Sequence, residues 1–512
     1  MLQEDEESPA NLSPSPAGAP DVDARSAILL AIKNAFTLGG ALMATGVIAL
    51  AMRVFVLPRA LGPEQFGTLS WADAFTTTLF VLLGLGMEQY IRKEVAVRPE
   101  LASEFYGGGV LVRVAMTLGL LAVIGAVLHF KHASPDVTLT VFLFALTQFA
   151  VTANGTLGAM LHAKGRVQGM STLSIVTKVV WAGGVLWAIA ADTGHLWGYG
   201  ASYLASEAIE VVALTWLARS HLGLAFRVDM PATKRMLVSS LPYYVAAIAT
   251  IAYGKLDVTL LEFTVGSKEV GLYGAASQLA NLTLLITPII GWVLVPMLAR
   301  AVHRSREELY EHVCRSMELI LTIAIPASLL INLGAEVWIH IAFGAAYSAA
   351  ATTLRVQSTM FVLTYVAIIY ATTLVMLERA WTLTWISVGG LVVNAGLNLL
   401  FVRYSVALLG EGGGGTGCAA AMLGTEIFVT ACMAVAIGRG AFDRRGMSTV
   451  ARSLAVYGVV VGAHILLRPI GPARLAVDGV LYFVLAVVVG ALRPREMLST
   501  VREALRRKSE GS

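Results

Sequence analysis

The sequence predicts an all-α membrane protein. It should have about fourteen transmembrane helices, six in each of two related lobes and two extra at the C-terminal end. Three observations lead there. Of 512 residues, 57% are hydrophobic and only 14% charged, against about 25% charged in an ordinary soluble domain. Apolar windows of roughly 20 residues, the length that crosses a hydrocarbon core, recur along almost the whole chain. One of the polar interruptions is repeated in the second half.

Taken in order, residues 1–27 open the chain as an acidic stretch rich in Pro and Ser, and read as a disordered cytoplasmic tail. Apolar windows at 34–57, 68–90, 109–130, 138–161, 170–191 and 197–217 make a first lobe over residues 28–217. Residues 218–236 form a polar cytoplasmic linker. A second lobe, 237–437, holds windows at 237–263, 270–297, 317–342, 352–376, 382–402 and 418–437. Lys255 and Asp257 interrupt the first of these, and Pro288 should kink the second. Two further spans, 453–468 and 476–492, precede a basic tail, 493–512, in which Arg495–Lys508 suits a helix lying on an anionic leaflet. The glycine run Gly410–Gly417 lacks the GK[ST] ending of a phosphate-binding loop and reads as a flexible hairpin.

Basic residues set the orientation. With both termini cytoplasmic, the outer loops hold only Arg59, Lys131, Lys268, Arg403, Arg468 and Arg474, and most of the 37 Lys and Arg fall in inner segments. That asymmetry follows the positive-inside rule over successive crossings.

Composition also excludes. No charged, turn-rich stretch is long enough to form a soluble catalytic domain, and the net charge of +4 gives no sign of a nucleic-acid partner. Cys314, Cys418 and Cys432 have no metal-binding spacing and no expected disulfide, and no cofactor motif is visible.

The repeat is clearest at two turns. Arg53–Asp73 reads RVFVLPRALGPEQFGTLSWAD and Asp257–Ser277 reads DVTLLEFTVGSKEVGLYGAAS; an offset of 204 residues places Gly62 on Gly266 and Gly67 on Gly271. Six spans separate the copies, so both begin on the same side, and the lobes should be related by an axis along the membrane normal.

LPRALGPEQFGTLSWADAF after the first span, GLGMEQYIRKEVA (Gly84–Ala96) and Ser240–Leu282, with its basic-x-Asp at Lys255 and Asp257, resemble the lobe starts of MOP-superfamily polysaccharide flippases of the Wzx type. The resemblance implies two six-helix lobes forming a V around a central cavity, an architecture shared by lipid II flippases and MATE antiporters. The resemblance implies a transporter, not an enzyme, in the bacterial inner membrane. Its cargo would be an undecaprenyl-pyrophosphate-linked oligosaccharide, its surroundings membrane lipids, and its partners a polysaccharide polymerase and chain-length machinery.

Moving such a head group requires a polar, preferably cationic path, because hydrocarbon cannot hydrogen-bond to it. Ionisable residues inside spans are the candidates. Arg53, Lys255, Asp257, Lys178 and Arg355 are assigned to substrate binding, and Asp73, Glu88, Glu207 and Glu210 to gating or ion coupling. Under the 204-residue offset Arg53 and Asp257 are equivalent, so both should face the cavity at similar depth, where they could instead form a lobe–lobe ion pair. Lys255 and Asp257 lie about 200° apart around a helix, so one of them would point away. Arg113 and Arg355, near span ends, either snorkel or serve the path. Glu426 is a further buried candidate, and Asn394 and Asn398 should hydrogen-bond neighbouring helices. Two alternatives stay open, a MATE-type drug/cation antiporter and a lipid II flippase. A membrane polysaccharide polymerase or ligase fits less well, since the outer loops are short and carry no paired carboxylates.

Overall fold

The computed structural model describes residues 43–84, 87–163, 167–191, 194–287, 304–438 and 444–492, with Gly40 and scattered positions in 294–302. The acidic N-terminal tail, Pro288, the basic C-terminal helix and the side chains of Arg92, Lys93 and Arg445 lie outside the described residues.

Fifteen helices and no strand occupy the described residues. The first half contains α1 (Met43–Gly84), α2 (Met87–Val97), α3 (Ala102–Phe130), α4 (Pro135–Ala163), α5 (Val167–Ala190) and α6 (Trp197–Leu222). The second contains α7 (Met230–Thr264), α8 (Ser267–Asn281), α9 (Arg306–Leu333), α10 (Ala335–Phe343), α11 (Ala350–Met376), α12 (Ala380–Leu409) and α13 (Gly413–Ile437). A hairpin of α14 (Arg444–Leu466) and α15 (Arg474–Val488) packs on α9.

Among the described residues, eleven helices are long and apolar enough to cross a membrane. One of them, α1, contains two predicted spans, because it breaks at Gly62 (φ 70°, ψ 175°) followed by Pro63. The seventh and eighth predicted spans are not among the eleven: α7 runs on from the charged linker without a break, and the eighth extends past Thr287 into undescribed positions. The expected count of about fourteen is therefore not reached among the described residues.

Local sequence explains the ends of these helices. Asp229 caps α7, its carboxylate accepting from the Ala232 amide at 3.3 Å, with Pro231 in the first turn. Ser305 caps α9 by accepting from the Glu308 amide at 3.0 Å. Large apolar side chains cover the outside, as a lipid-facing surface requires; Val212, Trp216 and Val435 are 70%, 70% and 81% exposed. Trp381 and Trp385 at the start of α12 suit a membrane interface.

The halves meet where the sequence repeats. A Cβ on Gly67 of α1 would lie 1.7 Å from the Ser267 carbonyl oxygen, and one on Gly271 of α8 would lie 1.9 Å from the Pro63 carbonyl oxygen. Position 63 is to 267 as 67 is to 271, so each turn touches its own counterpart reciprocally, the signature of a two-fold contact. Gly266 (φ 123°, ψ 175°) repeats the left-handed, extended geometry of Gly62, which a residue with a Cβ adopts only under strain.

Further ties between the halves cluster at this end. Arg59 donates to the Ala342 carbonyl at 3.1 Å and to the Ile341 carbonyl, the free acceptors at the end of α10. The Tyr347 hydroxyl donates to the Pro58 carbonyl at 3.0 Å. Lys131, at the end of α3, pairs with Glu262 of α7 at 2.5 Å and lies 3.8 Å over the Trp71 ring.

The glycine run is not a loose hairpin. Gly413–Gly417 are buried at the start of α13, and the Glu269 carboxylate accepts from the Gly412 amide (2.6 Å) and the Gly415 amide (3.0 Å). Lacking side chains, the glycines of this run let α12 and α8 approach within contact of the backbone: a Cβ on Gly417 would meet Val402 at 2.6 Å.

Candidate functional site: a charged cavity between the halves

Below the paired turns the halves part around a cavity of about 260 Å³. From the first half α1 contributes Arg53 and Asp73, α5 Trp181, and α6 Tyr199 and Tyr203. The second half brings Lys255 of α7, Ser277 and Gln278 of α8, and Gln357 of α11.

Arg53 falls in a π-helical stretch, Ala51–Val56, a widened turn found disproportionately at functional sites. Its guanidinium lies 6.0 Å from the centre of the Trp181 ring and lines the cavity together with Tyr203. These contacts hold a planar cation on an aromatic shelf without neutralising it. Across the cavity Lys255 pairs with Asp73 at 3.6 Å, both partly exposed.

Asp257 departs from expectation. It does not face the cavity beside Arg53, and no ion pair joins the two. At 1% exposure it points into the second half, accepting from Asn398 (2.8 Å) and the Tyr273 hydroxyl (3.3 Å). Its helix stays regular here, so the two-residue step from Lys255 carries it to the opposite face.

Behind the aromatic wall Lys178 pairs with Glu207 at 3.1 Å, and Asn154 donates to the same carboxylate at 3.0 Å. Glu210 accepts from Ser174 (3.1 Å) and Thr177 (3.0 Å). None of the three lines the cavity, though Lys178 reaches within 5.4 Å of the Tyr203 ring. Arg355 lies apart, donating to Glu336 at 2.7 Å, and this hydrogen bond holds the exposed Glu336 carboxyl below its usual range. Glu88 is also remote from the cavity: its carboxylate lies where a side chain on Gly155 would be. Arg113 does not snorkel: it is 2% exposed and donates to the Leu83 carbonyl (3.1 Å) and to Thr156 (2.5 Å). Glu426 is buried in α13.

Three features escaped the sequence reading. The aromatic shelf under Arg53 and the Lys131–Glu262 pair each join residues more than 100 positions apart. Gln357, an uncharged polar residue in an apolar span, carried a visible signal that ionisable residues overshadowed.

Residues 31–302, more than half of the 512, match the family of polysaccharide biosynthesis proteins. The chain belongs to that family. Solved structures of flippases and transporters share the fold, among them a transporter of the MOP superfamily. A lipid II flippase, MurJ, in an inward closed conformation superposes with a TM-score of 0.71 at 10% identity, over 92% of this chain and 100% of that one. An inward-facing multidrug-resistance MATE transporter gives 0.59 at 16% identity, over 77% and 95%. The MATE transporter VcmN of Vibrio cholerae, in its bent form, gives 0.52 at 14% identity, over 82% and 100%. At these identities the likeness concerns the fold. No curated protein matches in sequence. This member of the polysaccharide biosynthesis family is a multi-pass membrane protein whose fold is shared with flippases and transporters.

Proposed function

We propose that the protein translocates polyprenyl-pyrophosphate-linked oligosaccharide units across the bacterial inner membrane for surface polysaccharide synthesis. The observation that carries this reading is the membrane-embedded cavity between the two halves, with Arg53 and Lys255 on facing walls. A pyrophosphate diester brings two negative charges. Arg53 offers a planar fork with no counter-ion among the described residues, and Lys255 a point charge it can turn from Asp73 to phosphate. The prenyl tail stays in lipid while the head group exchanges water for these donors, which keeps the desolvation cost small.

In this reading both termini face the cytoplasm, residues 28–217 and 237–437 are the rocking lobes, and the paired turns close the outer end. Glu207 and Glu210 with Lys178 form a relay behind the wall for ion coupling, and Asp73 gates. Glu88 and Arg355 serve the two ends. Asp257 belongs to substrate binding indirectly, by fixing the face of α7 that presents Lys255. A polymerase and chain-length machinery consume the cargo outside.

The test is reconstitution in proteoliposomes with a fluorescent polyprenyl-pyrophosphate-linked trisaccharide, scored by protection from a membrane-impermeant quencher. Wild type should move the probe; Arg53→Glu and Lys255→Glu should each reduce the rate by at least about tenfold with the protein still in the membrane. Full activity in the double reversal would discard the cationic path.

A further inference from the structure

The cavity walls differ in chemistry in a way the pyrophosphate does not use up. Among the described lining residues only Arg53, Asp73 and Lys255 carry charge. Lys255 is balanced by Asp73, and behind the wall Lys178 is balanced by Glu207. One net positive charge therefore meets a head group carrying two negative ones. Any carboxylate on the attached sugars would be a further, unmatched charge in a membrane-embedded site.

The opposing wall is built of carboxamides. Gln278 and Asn281, three residues apart on α8, share a helix face and both line the cavity. Gln357 of α11 is 4% exposed; its Nε2 donates to the Ser277 hydroxyl at 2.8 Å, and its Oε1 has no partner among the described residues. A buried acceptor without a donor is costly, and it points to a donor that arrives with the ligand. A carboxamide both donates and accepts, which suits sugar hydroxyls, and it repels neither sign of charge. Trp181 and Tyr203 line the wall across the cavity.

We infer that Gln278, Asn281 and Gln357 form the saccharide-recognising wall and that it selects repeat units without acidic sugars. The inference rests on the flippase reading above and adds the class of glycan. A site that hydrogen-bonds hydroxyls rejects a ligand that leaves those groups unpaired, so selection operates through the amides as well as through charge.

The experiment compares two probes in the same proteoliposomes: a polyprenyl-pyrophosphate-linked neutral trisaccharide and the same lipid with a uronic acid as its terminal sugar. The neutral probe should cross at least about tenfold faster, the scale of one unmatched charge at a partly desolvated site. Gln278→Lys should narrow that ratio by admitting the acidic probe. Gln357→Met, close in volume but unable to hydrogen-bond, should slow the neutral probe severalfold while leaving inhibition by inorganic pyrophosphate unchanged. Equal rates for the two probes, or a ratio indifferent to Gln278→Lys, would overturn the inference and leave the flippase reading standing. Failure of both probes to cross would remove that reading, and this inference with it.

Discussion

An alanine at Gly67 or Gly271 tests how the halves close. The new methyl carbon would lie 1.7 Å from the Ser267 oxygen or 1.9 Å from the Pro63 oxygen, against the 3.4 Å at which ordinary contact begins. The obstacle in both cases is backbone, which cannot rotate aside as a side chain can. The halves must then separate by roughly 1.5 Å at this end, or the turns must deform. Overpacking of this kind costs about 1–3 kcal/mol. Charged against the closed state alone, that shifts its population by roughly five- to 150-fold, at 1.4 kcal/mol per factor of ten. One separation relieves both clashes, so the double variant should cost less than the sum of the singles. The reporter is Ser277→Cys in the cavity wall, in a background with Cys314, Cys418 and Cys432 replaced by serine. A membrane-impermeant maleimide, added on the side of the paired turns, should label it faster in either alanine variant, and transport should fall. Unchanged labelling and transport in both would show that the reciprocal glycine contact does not hold the halves together.

Three further outcomes follow from the same geometry. Exchanging Lys255 and Asp73 (Lys255→Asp with Asp73→Lys) should restore expression but not transport if the cation must stand on α7 to meet phosphate; recovery of transport in the reconstitution assay would reduce the pair to a structural tie. Glu269→Ala removes the acceptor for the Gly412 and Gly415 amides and should lower stability by about 0.5–2 kcal/mol, read as a lower Tm of the detergent-solubilised protein; an unchanged Tm would contradict the capping role. Arg53→Lys keeps the charge but loses the planar fork above Trp181, so it should transport at an intermediate rate, above Arg53→Ala and below wild type; equal rates in all three would remove Arg53 from the site.

Much of the fold is legible because membrane helices announce themselves by length and hydropathy, and because the turns at Gly62 and Gly266 repeat with their spacing intact. The site is less legible, for reasons that differ residue by residue. Lys255 and Asp257 separate as helical periodicity requires, but only coordinates show which of them faces the cavity. Arg53 and Asp257 fail as a pair although each precedes its glycine by nine positions. The π-helical stretch around Arg53 shifts the phase of α1, whereas α7 at Asp257 has no such stretch, so equal spacing in sequence gives unequal facing. Glycine has two uses, freedom and closeness. The run at Gly410–Gly417 suggests the first and serves the second, a choice made by Glu269 more than 140 residues earlier.

The Lys131–Glu262 pair poses a problem for the proposal that the two lobes rock apart at the paired turns. Separating a largely buried ion pair ordinarily leaves an uncompensated charge, at about 3–5 kcal/mol, and opening this end would do so in every cycle. Here each partner keeps a companion within its own half. Lys131 rests 3.8 Å over the Trp71 ring, and the Glu262 carboxylate accepts from the Ser267 hydroxyl at 2.9 Å. These local contacts offset part of the cost of parting, so the end can close firmly and still open. Ser267→Ala deletes one companion without adding bulk, and should therefore stabilise closure. With a hydrogen bond worth about 0.5–1.5 kcal/mol, labelling of Ser277→Cys should slow by roughly two- to tenfold, opposite in sign to Gly67→Ala. Faster labelling would mean that Ser267 tightens the closed end rather than easing its release.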